Sequence, residues 1–280
     1  MKNKREKIGL VLNGGIARAF FQVGVIKSLS NYIDFDIIVG SGTGALFAAV
    51  LASNLSFDKE ATADYFLNPE KENNWAFFNN QKLIELFLGT EKLEFGKLNK
   101  KLVVVATDLE ENKEVIIDRG NIKIAVEGSI AFPCFNKPVL YEGKFLADGS
   151  IINPFPTDVA WSHGADKIIA IDTISQHIRD FDENNVPISP FIENAAIAFP
   201  QMWLLHKKKI PWMEMRMFET SLTSAIDDFS IRREPYLVIK LEEEAPELAR
   251  KTYLDSFENI PQLIKEGIKA GEKYAKELAS

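Results

Sequence analysis

Phe35-Asp36-Ile37-Ile38-Val39-Gly40-Ser41-Gly42-Thr43-Gly44-Ala45-Leu46-Phe47-Ala48-Ala49-Val50-Leu51 changes character at a single corner. Phe35 to Val39 reads as a strand. The glycines at 40, 42 and 44 break it, and Ala45 to Leu51 is apolar all round, as a helix buried under a sheet must be. A strand, a sharp turn and a buried helix form the frame of a nucleophile elbow, G-x-S-x-G. In that turn the flanking glycines let the corner close and the central residue sits on strained backbone at the helix N-terminus. Gly40 and Gly44 satisfy the flanks, but the centre is Gly42, which has no side chain to acylate. Neither neighbour replaces it. Ser41 has Val39 and Thr43 at its flanks, too bulky for the turn, and Thr43 stands out of register.

Outward from this corner, Ile8 to Leu12 is an apolar run stopped by Asn13-Gly14-Gly15, a buried strand ending in a tight loop. Ala17 to Leu29 then turns helical, with Phe21, Val25 and Leu29 on one face. Leu102–Ala106, Lys167–Ile171 and Tyr236–Ile239 are further strand candidates. Their unbroken apolar character predicts central, mostly parallel strands covered on both faces. Helical patterns between them predict an α/β sandwich. Tyr253 to Leu278 is amphipathic, with Leu263, Ile264, Ile268 and Ala275 on one face. No repeat or Gly/Ser linker divides the chain, so a single domain over residues 6–278 is expected, with 175–231 as an insertion, cover or lid.

The chain has 280 residues, 46% hydrophobic and 26% charged, enough to bury a sizeable core. A formal net charge of −7 argues against a nucleic-acid binder. The single cysteine, Cys134, excludes an intrachain disulfide, and three scattered histidines (His163, His177, His206) make a metal site unexpected. The charged N-terminus runs directly into a strand and no run reaches the 18 or so apolar residues of a membrane span. A cytoplasmic protein is expected, without cofactor or metal; peripheral membrane contact stays open and the oligomeric state is unspecified.

Three other readings bear on the chemistry. Gly40-x-Gly42-x-x-Ala45 after a strand is also a permissible dinucleotide fingerprint. That fold needs a strand ending in an acid about 20 residues on, whereas 57–67 looks helical and Asp58 and Glu60 come too early. The loop Gly14-Gly15-Ile16-Ala17-Arg18 joins a strand to a helix, where backbone N–H groups can stabilise a negative oxygen; a plain connecting turn is the alternative. Asp148-Gly149-Ser150 follows a strand-like segment, so Asp148 is a candidate general base, with a hairpin turn as the alternative.

Taken together and in this order, the motifs resemble the patatin-like phospholipase family. In that family a glycine-rich oxyanion loop, G-x-S-x-G and Asp-Gly-Gly or Asp-Gly-Ala follow one another. Gln22 to Ile26, Val104 to Leu109, Ser129-Ile130-Ala131-Phe132-Pro133, Asp148 to Pro154 and Gly164 to Lys167 are similar to further family segments. The likeness covers roughly residues 7–173 and returns weakly over 236–275. It implies a three-layer sandwich with a mostly parallel central sheet, and hydrolysis of lipid acyl esters by a Ser/Asp dyad without histidine. Carried over by position, the nucleophile falls on Gly42, the general base on Asp148 and the oxyanion donors on Gly14, Gly15 and Ile16, with Arg18, Gly40, Gly44 and Gly149 in support.

The chain departs from the family pattern at several positions. Ile16 stands where a third loop glycine is usual, and a β-branched residue there resists any positive φ. Ala19 replaces another glycine. Ser150 replaces a smaller residue, a mild change by sequence. Gly42 is either a substitution that empties an ordinary Gly-Ser-Ser-Thr-Gly elbow or the native residue of a non-catalytic lipid-binding relative. Met202, Trp203, Trp212 and Met213, beside Lys207-Lys208-Lys209, are candidates for a lipid-facing lid or a packed cover.

Overall fold

The computed structural model describes residues 5–57, 79–132, 136–174, 234–250 and 257–279. Its centre is an eight-stranded sheet: β1 (Ile8–Leu12), β2 (Ile37–Ser41), β3 (Lys101–Asp108), β4 (Lys113–Ile117), β5 (Val139–Tyr141), β6 (Lys144–Ala147), β7 (Lys167–Asp172) and β8 (Leu237–Lys240). Among the described residues the helices of eight or more residues are α1 (Phe20–Leu29), α2 (Thr43–Ala52), α3 (Asn80–Leu88), α4 (Ile122–Ser129) and the long α6 (Ile260–Ala279), with the shorter α5 (Thr157–Ser162) beside them. β3, β2, β1, β7 and β8 are parallel neighbours in that order, and β4, β5 and β6 join antiparallel.

Side chains alternate across the central strands. Leu10, Leu12, Ile38, Val104 and Ile171 enter the core under α1 and α2. Val11, Val39, Val105 and Ala170 enter a smaller core with Val159 and Ala160 of α5. Both faces are therefore covered, the three-layer arrangement expected of apolar parallel strands. The second strand starts at Ile37, two residues later than the apolar run suggested; just before it Asp36 ties the strand to β1, its carboxylate accepting from the Ile8 amide at 2.9 Å. The expected strand from Tyr236 starts instead at Leu237. Tyr236 is exposed, and β8 ends the row of paired strands among the described residues.

The last helix begins at Ile260 and buries Leu263, Ile264 and Ala275, as its pattern predicts. Less visible in the sequence is how closely it lies on α1. A β-carbon at Gly24 would overlap the Ile264 carbonyl oxygen, and one at Gly267 the Phe21 carbonyl oxygen. Ser28 Oγ donates to the Ile268 carbonyl at 3.0 Å across the same seam. Pressed between sheet and helix, α1 is buried nearly all round, so its face pattern at 21, 25 and 29 understates its burial.

The sheet also sets where the motifs meet. β2 pairs with β3 as far as Ser41 against Val105, and β6 then takes Thr107 and Asp108. Since β4 occupies the other edge of β3, β6 extends the edge that β2 leaves. The ends of β1, β2 and β6 thus deliver Gly14, Gly42 and Asp148 to one place, outside the carboxyl ends of the parallel strands. Gly24→Val is expected to lower unfolding free energy by about 1–3 kcal/mol through overpacking of the α1–α6 seam, measured by urea denaturation.

Candidate active site

Gly42 has φ 57° and ψ −136°, backbone that costs an L-residue strain and a glycine none. The turn is held from below. The Gly42 amide donates to Ser129 Oγ at 3.1 Å, and Ser129 Oγ donates to the Val105 carbonyl at 2.6 Å. Both flanking glycines are forced by contact. A β-carbon at Gly40 would overlap the Ala45 backbone, and one at Gly44 would overlap the Leu12 carbonyl oxygen. Ser41 points away from the site, its buried Oγ donating to the Asn153 carbonyl at 2.9 Å.

The first loop lies against this turn. Gly15 has φ 132° and Ile16 has φ 50°, so the β-branched side chain does sit on the disfavoured backbone anticipated for this loop. A buried polar cluster fixes it. Asn13 Nδ2 donates to Asp172 at 2.8 Å, Gln22 Nε2 donates to the Asn13 carbonyl at 2.8 Å, and Thr173 Oγ1 donates to Asn13 Oδ1 at 2.9 Å and to the Gly14 carbonyl. Among the described residues no backbone carbonyl accepts from the Gly14, Gly15 or Ile16 amides. Arg18 is buried on the 3-10 turn Ile16–Ala19 that follows.

Asp148 does not open a hairpin. It caps the 3-10 turn Gly149–Ile151, with Oδ1 accepting from the Ser150 amide at 2.8 Å. Its own carbonyl accepts from Thr107 Oγ1 at 2.8 Å, and a β-carbon at Gly149 would overlap the Val105 carbonyl oxygen, so only glycine lets the turn pass. A Lys144–Asp108 ion pair of 2.6 Å joins β6 to β3 beside it. Burial pushes the Asp148 carboxyl up to about 6, against the opposing pull of the Ser150 amide and hydroxyl.

A β-carbon on Gly42 would stand 2.9 Å from Asp148 Oδ1 and 3.3 Å from Gly14 Cα, and would overlap Ser150 Oγ. Elbow, loop and carboxyl therefore converge on one point. A cleft leads to it, walled by Ile16, Phe20, Leu46, Phe47, Leu83, Phe87, Ile130 and Phe132, with Thr43, Asn80, Asn136 and Asp148 also on its lining. Phe20, Phe47 and Phe87 pack as a cluster with ring centroids 5.2 to 6.2 Å apart.

A model of the patatin-like phospholipase family matches residues 10–161, more than half of the chain. The chain belongs to this family. Patatin-like phospholipase domain-containing protein 7 of Mus musculus is 27% identical over 227 residues, covering 73% of this chain and 15% of that protein. An uncharacterized protein of Acanthamoeba polyphaga mimivirus is 27% identical over 215 residues, 66% of this chain and 72% of its own length. An uncharacterized NTE family protein of Mycobacterium bovis is 30% identical over 188 residues, 59% and 48% of the two chains. The solved structure of VipD from Legionella pneumophila aligns over 94% of this chain and 67% of its own, with 14% identity and a TM-score of 0.44.

In this patatin-like chain the loop residues Gly14, Gly15 and Ile16, the turn of Gly40, Gly42 and Gly44, and Asp148-Gly149 lie together at the strand ends. The surroundings of the Gly42 turn oppose a dinucleotide, because a buried carboxyl rather than a phosphate-sized space faces the glycines. Met202, Trp203, Trp212, Met213, His177, His206, Cys134 and all of 175–231 lie outside the described residues. Among the described residues no His/Cys/Asp/Glu group could hold a metal and no helix is long and apolar enough to cross a membrane. Sequence reading missed the supports Asn13, Asp172 and Thr173, which carry no motif, and the function of Ser129, noted only as part of a familiar segment. It also took Ser150 as a mild replacement, whereas its hydroxyl overlaps the place of a residue-42 side chain.

Two stability predictions follow from the turn. Gly42→Ala should cost about 1–3 kcal/mol from backbone strain, before relief of the Ser150 contact. Ser129→Ala should cost about 1–3 kcal/mol by leaving the buried Gly42 amide without its acceptor. Urea unfolding of each variant against the parent checks both.

Proposed function

We propose that this chain binds lipid acyl esters, with the acyl chain in the phenylalanine-lined cleft and the ester group beside Asp148, and that the site is built for ester hydrolysis. One observation carries the reading: the buried Asp148 carboxyl stands 2.9 Å from the side-chain position of the elbow residue, at the end of an apolar cleft. A general base must lie within hydrogen-bond reach of the group it activates, with a pKa near the working pH. Gly14, Gly15 and Ile16 offer amides to a developing oxyanion from one side, and the N-terminus of α2 adds its dipole. Gly42 itself supplies no nucleophile. Membrane contact belongs to the same proposal, because an acyl lipid must reach the cleft from an aggregate or bilayer.

Apolar walls favour a hydrocarbon chain through burial of roughly 25 cal/mol per Å². A charged side chain placed there should expel it. Phe87→Asp is therefore expected to weaken binding of a fluorescent long-chain fatty-acid analogue at least about tenfold, in protein shown by thermal melting to be folded. Absence of any acyl-chain binding by the parent would remove the reading.

Asp148 adds a pH test. Its folded pKa of about 6 lies above the unfolded value of about 3.9. Between these values the folded state keeps a proton that the unfolded chain has lost, so stability falls as pH rises through the window and levels off above it. Asp148→Asn should therefore be more stable than the parent at pH 7, by up to about 3 kcal/mol, with the advantage vanishing below about pH 4.

A further inference from the structure

We propose that Ser150 supplies the nucleophile that Gly42 lacks, its Oγ attacking the carbonyl carbon of an acyl ester held in the cleft. The proposal rests on the reading of the cleft as an acyl-ester site. Three observations converge on this hydroxyl. It is buried and, among the described residues, is spent on no backbone carbonyl, facing only the Asp148 carboxyl, whereas Ser41 and Ser129 each give theirs to a backbone carbonyl. A buried hydroxyl whose only polar neighbour is a carboxyl is placed where that carboxyl can take its proton.

Its position is the second observation. A β-carbon at Gly42 or at Gly14 would overlap Ser150 Oγ, so the hydroxyl fills space that opens only because both residues are glycine. Glycine at the elbow and serine after Asp148-Gly149 are therefore sterically complementary, and an unshifted Ser150 would not tolerate a side chain on residue 42. The hydroxyl lies between the elbow and the Gly14 loop, whose amides no backbone carbonyl takes among the described residues. The third observation is its tie to the base. The Ser150 amide is fixed on Asp148 Oδ1 at 2.8 Å, and the hydroxyl is near enough to favour the charged carboxylate.

The chemistry balances with these groups alone. The Ser150 Oγ–carbon bond forms as the hydroxyl proton passes to the Asp148 carboxylate, and the carbonyl oxygen takes up negative charge facing the Gly14 and Gly15 amides. Collapse breaks the ester carbon–oxygen bond, and the departing alcohol takes the proton from Asp148. Water then gives a proton to Asp148 as it attacks the acyl-serine. Release of the fatty acid returns that proton to Ser150.

The test is a serine-directed fluorophosphonate on the full chain, with the labelled residue located by peptide mass spectrometry. The parent should label on Ser150, and labelling rate and ester turnover should fall at least about a hundredfold in Ser150→Ala. A label on Thr43 or any other residue, or none, overturns the proposal. The double variant Gly42→Ser/Ser150→Ala separates the two readings. If it labels at position 42 while the parent stays unlabelled, the acyl-ester site stands and the relocated nucleophile falls. If neither form labels, the hydrolytic reading of the site fails with it.

Discussion

At the carboxyl ends of β1 and β2 backbone meets backbone. A β-carbon at Gly44 would overlap the Leu12 carbonyl oxygen, and one at Gly40 the Ala45 backbone. This contact lets α2 start directly above the end of β1 and brings the Gly42 turn against the loop from Asn13. Most of the site depends on it. A single methyl group at either flank would push the turn off the loop and part the elbow from the amides beside it.

Asp148 reaches the same point by a different route. It follows an antiparallel strand that continues the edge of β3 where β2 stops, and Thr107, Ser129 and Gly149 lock the junction. The consequence is a carboxyl held in a place that disfavours its charge. Such a group costs stability, the usual exchange where a site is shaped for chemistry rather than for folding. Strained backbone at Ile16 belongs to the same pattern.

The glycine at 42 acquires a different meaning in this setting. As sequence it reads as a deletion of chemistry from a familiar turn. In the folded chain it sits on backbone that suits glycine, and the space it leaves meets a buried serine hydroxyl from another segment. The two readings left open for Gly42 both treated the elbow by itself. The geometry couples residue 42 to Ser150 across more than a hundred positions of chain.

Local sequence determined the strands at 8–12 and 167–171, the buried helix after Gly44 and the flanking glycines of the turn, because hydrophobic period and glycine spacing are properties of neighbouring residues. The order of motifs sufficed for the family, and matched residues 10–161 bear it out. Tertiary structure alone decided the rest. The grip of Asn13, Gln22, Asp172 and Thr173 on the loop, the seam of Gly24 against Gly267, and the meeting of Ser150 with Gly42 and Gly14 join segments far apart in the chain. No periodicity records such contacts, because they arise where the sheet brings strand ends together and space is shared between residues with no local relation.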